Sequence, residues 1–170
     1  MRRLFNVVLV VGLALTALPA TAQDKLKIVA SFSILGDMVR QVTGELASVT
    51  TIVGPDADAH VYMPNASDAK AVANADVIFL NGLGFETWSD TLIKTSGTKA
   101  EVFVATTGIS PLKVEGEIDP HAWNTLTNGV VYVTNIADGL SSADPKNAAT
   151  YKANAKAYSA RLMALHTRAT

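Results

Sequence analysis

The chain has 170 residues with 14 basic and 15 acidic side chains, a formal net charge of −1 that gives no electrostatic footprint for nucleic acid or for an acidic surface. It contains no cysteine, which excludes disulfide frameworks, thiolate metal sites, thiol nucleophiles and iron–sulfur chemistry. Stability must therefore come from burial alone, which a domain of this size can supply.

The first 22 residues read as one unit. Arg2 and Arg3 give a positive start, Leu4 to Leu18 an apolar run, and Ala20-Thr21-Ala22 a small-x-small end, so a secretory signal cleaved after Ala22 is expected. The run is shorter than a membrane span needs and Pro19 closes it. With no cysteine after the small residues, a lipid anchor is not expected, and the product is expected to be periplasmic with no stable membrane insertion. Cleavage would leave 12 basic against 15 acidic residues in about 148, enough for one domain.

Leu26 to Phe32 reads as a strand. Ile34, Met38, Val39 and Val42 then recur at helical spacing, with Gly44 as the stop. Val49 to Val53 favours a short buried strand, which Gly54-Pro55 ends. Ser67 is placed to cap a short helix running to Ala75, and Val77 to Leu80 suits a strand covered on both faces. After a turn at Gly82 and Gly84, Trp88, Leu92 and Ile93 mark a helix, and Glu101 to Ala105 a fourth strand. Strands alternating with helices imply α/β architecture: a single Rossmann-like lobe with a mostly parallel four-stranded sheet flanked by helices. Such sheets gather ligands at the carboxyl ends of their strands.

From Asn124 onward the pattern is helical. Val130, Val133, Ala137 and Leu140 form one stripe, and Asp144-Pro145 starts a second helix in cap-then-proline order. Its stripe is Tyr151, Ala155, Tyr158, Leu162 and Leu165, with no stop signal before Thr170. About 25 residues of helix would reach nearly 40 Å, further than a small lobe needs. The expectation is a lobe over residues 23–143 and, over 144–170, the start of a linking helix cut short, with a second lobe absent.

Three histidines are present. His60 lies in the loop Gly54 to Pro64 after a strand, and His121 in Asp119-Pro120-His121-Ala122-Trp123, leading into a helix. Both sit where an α/β sheet presents ligand groups, and Pro120 and Pro64 stiffen their loops. Two distant loop histidines are by themselves a weak metal signal, the alternative being surface residues without a role. His166, on the terminal helix, reads as solvated. Asp56, Asp58 and Asp119 could ligate a hard cation, accept an imidazole N–H, or form turns, of which the last is the commonest use of such residues. Asn81-Gly82-Leu83-Gly84-Phe85 lacks the third glycine of a dinucleotide loop and reads as a tight turn. Glu115 and Glu117 read as solvated loop charges. No G-x-S-x-G, H-E-x-x-H or G-x-x-x-x-G-K pattern occurs, so no enzyme is indicated.

Taken together, Ala30-Ser31-Phe32-Ser33-Ile34-Leu35-Gly36-Asp37, Gly54 to Pro64, Asn81 to Glu86, Ala105-Thr106-Thr107-Gly108-Ile109 and Asp119 to Trp123 follow an order that resembles a known family. This is the periplasmic solute-binding receptors of zinc and manganese ABC importers, with the likeness running from about Leu26 to the end. The resemblance implies that His60 and His121 match the family's first two metal ligands. It also implies a third ligand (His or Glu) and a fourth acidic one on a second lobe beyond a long helix. The transported ligand would be Zn2+ or Mn2+, with no organic cofactor, and the partner a cognate permease in the inner membrane; a monomer is expected. Met63 stands where the family often has Glu before proline. Val114 to Ile118 has no histidine where many zinc receptors carry a His-rich insertion, which favours manganese or a receptor without the zinc-scavenging loop. Imidazole ligates only when neutral, so affinity is expected to fall as pH drops through the imidazole range near about 6.5. The competing readings are a receptor for a non-metal ligand and an adhesion or interaction protein of the same fold.

Overall fold

The computed structural model describes residues 25–169, so the signal segment expected over residues 1–22 lies outside the described residues. Four strands, β1 (Leu26–Phe32), β2 (Ala47–Val53), β3 (Val77–Leu80) and β4 (Glu101–Val104), form an all-parallel sheet in the order β2-β1-β3-β4. The helices between and after them are α1 (Ser33–Thr43), α2 (Ala66–Ala73), α3 (Ser89–Ser96), α4 (Leu126–Ala143) and α5 (Ala148–Ala169). The order reverses between β1 and β3, so the carboxyl ends of these two strands flank the switch point at which such sheets bind ligands.

Alternation along the strands sends their side chains to two covered faces. Ile28, Ala30 and Phe79 pack toward α1 and α4, and Val29, Ile52 and Ile78 toward Val72 of α2 and Leu92 of α3. Close approach on the first face depends on small residues. A Cβ on Gly36 of α1 would lie 2.2 Å from Thr51 Cγ2.

Helix boundaries follow local chemistry. Gly44 adopts φ 53° and ends α1 as expected. The cap of α2 is Asn65 rather than Ser67: the Asn65 side chain accepts from the N–H groups of Ser67 and Asp68, and Asp68 returns a bond to the Asn65 N–H. Asp144 ends α4, a single tight turn spans Pro145–Asn147, and α5 follows. Tyr151 and Ala155 of α5 are buried, and Asn154 Nδ2 donates to Val42 O at 2.9 Å, so the core includes the first turns of the final helix. Further on, Met163 and Leu165 are exposed, and His166 is half-buried rather than fully solvated.

The sequence reading missed a small hairpin, β5 (Lys113–Val114) and β6 (Glu117–Ile118), between β4 and the His121 loop. Glu115 and Gly116 turn it with φ values of 53° and 92°, a two-residue turn with both central residues left-handed. Glu115 and Glu117 are exposed there. No helix among the described residues is long and apolar enough to cross a membrane.

Candidate metal centre

The loops carrying His60 and His121 use the same local device. In Asp58-Ala59-His60 the Asp58 Oδ1 accepts the His60 backbone N–H at 2.8 Å, and in Asp119-Pro120-His121 the Asp119 Oδ1 accepts that of His121 at 3.0 Å. Each aspartate is thus a turn former two residues ahead of its histidine. Asp119 does more, because the same Oδ1 lies 2.7 Å from His121 Nδ1. A carboxylate can only accept, so Nδ1 carries the proton and Nε2 keeps its lone pair for a ligand. The His121 backbone N–H, and after it the ring N–H, hold the Asp119 carboxyl below the usual carboxylate range. Asp56 is exposed and belongs to neither device.

Folding brings the two rings together across 61 positions of sequence, with His60 Nε2 3.0 Å from His121 Nε2. A tetrahedral ion holding two imidazoles at about 2.05 Å would set those nitrogens about 3.3 Å apart. A few tenths of an ångström of ring movement therefore separates the observed pair from a chelating pair. Without an ion, His121 Nε2 accepts and His60 Nε2–H donates. Among the described residues no group of three or more His, Asp or Glu side chains gathers as a metal site, so the pair offers two nitrogens only.

Aromatic rings floor the site. Phe85 lies edge-on to His60 at 4.8 Å and to His121 at 5.8 Å between centroids, and Trp123 meets His121 at 5.2 Å. Phe32, at the end of β1, packs against both Phe85 and Trp123. Beneath them Glu86, 7% exposed, accepts from the backbone N–H of Asn81 at 2.7 Å, from that of Gly82 at 3.1 Å, and from the Ser31 hydroxyl. These three donors offset much of the cost of burying a carboxylate. Phe85, Trp123 and Glu86 stand out in the sequence only as members of segments that carry the family likeness, with no role of their own assigned. Met63, at 86% exposed, points away from any such network.

A concavity of about 950 Å³ lies elsewhere, at the amino ends of the strands, lined by Lys27, Lys70, Asp76 and Lys146 among others. It is open to solvent, and the ion pairs beside it are local ones, Lys25 with Glu45 at 3.1 Å and Lys146 with Asp144 at 4.0 Å. The convergence of two ring nitrogens at His60 and His121 has no counterpart there among the described residues.

The family described as zinc-uptake complex component A, periplasmic, matches residues 28–170. The iron ABC transporter substrate-binding lipoprotein MtsA of Streptococcus pyogenes serotype M1 is 39% identical over 168 residues, covering 92% of this chain and 54% of that protein. The manganese-binding lipoprotein MntA of Halalkalibacterium halodurans is 44% identical over 136 residues, covering 79% and 45%. Among solved structures, the Mn-bound periplasmic metal binding protein from Candidatus Liberibacter asiaticus has a TM-score of 0.76 at 36% identity, covering 81% of this chain and 53% of that one. Zn(II)-bound AdcA from Streptococcus pneumoniae has a TM-score of 0.78 at 30% identity, covering 85% and 32%. The chain spans about half the length of the curated relatives it matches, and none of the relatives named above is described as an adhesin. A match over nearly the whole described fold, with relatives whose shared cargo is a metal ion, means that the chain belongs to the zinc-uptake component A family of metal ABC-transporter substrate-binding proteins.

Proposed function

We propose that the chain is an extracytoplasmic receptor lobe that captures a divalent transition-metal ion through His60 Nε2 and His121 Nε2 for delivery to the permease of an ABC importer. The observation that carries this reading is the 3.0 Å convergence of the two ring nitrogens, one of them fixed in its ligating tautomer by Asp119. Zn2+ and Mn2+ are the proposed cargo, and iron joins them because one relative is named for it. Softness and geometry of the remaining ligands select among these ions. The relatives are named lipoproteins. For this chain, with its signal-like start and no cysteine, a soluble periplasmic form is proposed instead.

Two imidazoles satisfy half of a four-coordinate ion, so binding by this pair is weak, with water in the other positions. Calorimetric titration of the chain with Zn2+ tests the assignment. Weak one-to-one binding that disappears in the His60→Ala/His121→Ala variant is expected. Tight binding that survives both substitutions would overturn it.

A further inference from the structure

The turn between β3 and α3 carries two side-chain donors, and each ends on the carbonyl of the residue just before a candidate ligand. Trp88 Nε1–H donates to Ala59 O at 2.8 Å, next to His60. Asn81 Nδ2–H donates to Pro120 O at 3.0 Å, next to His121. The partners are 29 and 39 positions apart, so no local turn requirement accounts for either bond. We infer that Asn81 and Trp88 are positioning residues, the two arms of a gauge that sets the separation of the His60 and His121 imidazoles and hence the bite offered to a metal ion. The inference rests on the metal-receptor reading above.

A gauge must be stiffer than what it spaces, and the 81–88 turn meets that condition. Both of its first N–H groups are held by the buried Glu86 carboxylate, which the Ser31 hydroxyl ties to the end of β1. Gly82, Leu83 and Gly84 are all left-handed, with φ values of 85°, 57° and 78°. Leucine persists in that region only where its surroundings hold it. A Cβ on Gly82 would lie 2.5 Å from Val104 Cγ1, so the turn is seated directly on the edge strand.

The arms are also fixed in direction. Asn81 Nδ2 faces two carbonyl oxygens, Gly82 O and Pro120 O, both at 3.0 Å, and carbonyls only accept. The amide oxygen must therefore face Tyr132, whose hydroxyl donates to it. Asn81 and Tyr132 are both fully buried. Through this chain α4 fixes the Asn81 amide, and the amide fixes the backbone from which His121 projects. On the other arm, the Trp88 ring packs edge-on against Tyr62 at 5.7 Å. Between the arms Phe85 touches both imidazoles and keeps them from collapsing into the turn.

Trp88→Phe removes one donor and keeps an aromatic ring; Asn81→Asp removes the other and keeps the acceptor for Tyr132. Both are made in the whole chain, with circular dichroism to establish folding. Three readouts are taken: Zn2+ affinity by calorimetry, the visible absorption of bound Co2+, and the ring-to-ring nuclear Overhauser effect between His60 and His121 without metal. Trp88→Phe is expected to weaken Zn2+ binding roughly three- to tenfold and Asn81→Asp on the order of tenfold. The Co2+ band should shift and the ring-to-ring signal weaken in both. Folded Trp88→Phe protein with unchanged Zn2+ affinity, Co2+ band and ring signal would overturn the gauge, because those bonds would then only fasten loops to the lobe. Should the unsubstituted chain prove indifferent to both His→Ala changes, the metal reading fails. The gauge is then judged on the metal-free ring signal alone, which must still weaken in Trp88→Phe.

Discussion

Asp119 is the residue at which the structure makes its most specific demand. Its Oδ1 accepts two N–H groups of His121, one from the backbone at 3.0 Å and one from the ring at 2.7 Å. Asp58 Oδ1 accepts only the backbone N–H of His60. The two aspartates therefore separate turn formation from ring control. Asp119→Ala removes both bonds and frees the His121 tautomer, and outer-shell losses of this kind weaken metal binding roughly 10- to 100-fold. Asp119→Asn keeps an amide oxygen for one N–H and loses the charge that favours ring donation, which places it near the lower end, about tenfold. Asp58→Ala loses a turn bond without freeing a ring and should fall below both. Zn2+ titration at about pH 7.5, above the imidazole range, reads all three without competition from protons. The order wild type, Asp58→Ala, Asp119→Asn, Asp119→Ala is the prediction. Equal losses for Asp58→Ala and Asp119→Ala would show that turn geometry, not ring control, is what these residues supply.

Two further outcomes follow from the fold. Gly36→Ala places a Cβ 2.2 Å from Thr51 Cγ2; overpacking of about 3 kcal/mol against about 1 kcal/mol gained by replacing a helical glycine gives a net loss of about 2 kcal/mol in urea unfolding. Adding Thr51→Ser, which deletes the clashing methyl, should recover most of it, and failure of that rescue would refute the steric argument. At high pH, burial pushes the Tyr132 and Tyr151 phenols above their ordinary value of 10.0, aided by the Glu86 charge for the first and by the hydrogen bond to Asp144 for the second. The folded state thus holds these protons longer than the unfolded state. The resulting stability is complete below about pH 10 and is lost as pH rises through the higher folded values. Melting temperatures at pH 8 and pH 11 should show this loss, and Tyr151→Phe should make it shallower; an unchanged alkaline slope would sink the assignment.

What was legible in the sequence was whatever repeats at short range. The apolar runs at Leu26 to Phe32 and Val77 to Leu80, and the stripe Val130, Val133, Ala137 and Leu140, state their own period, and they fix four parallel strands with flanking helices. Errors arose where two local signals compete. Ser67 and Asn65 are both good caps, and Asn65 wins because Asp68 lies three residues after it and completes the reciprocal box. The hairpin at Lys113–Val114 and Glu117–Ile118 is too short to show a period at all.

The site divides along the same line. Asp-x-His occurs twice, at Asp58 to His60 and Asp119 to His121; the turn-forming use expected of both aspartates is found in both, and the imidazole-accepting use only at Asp119. Before the family resemblance, the pairing of the histidines was only a weak signal from two loops at the ligand-presenting edge of the sheet, because 61 positions separate them. Asn81 and Glu86 stand out in the sequence only as part of a turn carrying the family likeness, and Trp88 only as the start of a helix; their bonds to other segments were not legible, for a stronger reason. Asn81 and Trp88 donate to main-chain carbonyls of distant loops, and a carbonyl oxygen is the same at every position, so no residue type at Ala59 or Pro120 advertises that it is being held. On the proposed reading, the candidate ligands are written in the residue types of two loops, whereas the distance between them would be set by a turn that contributes no ligand.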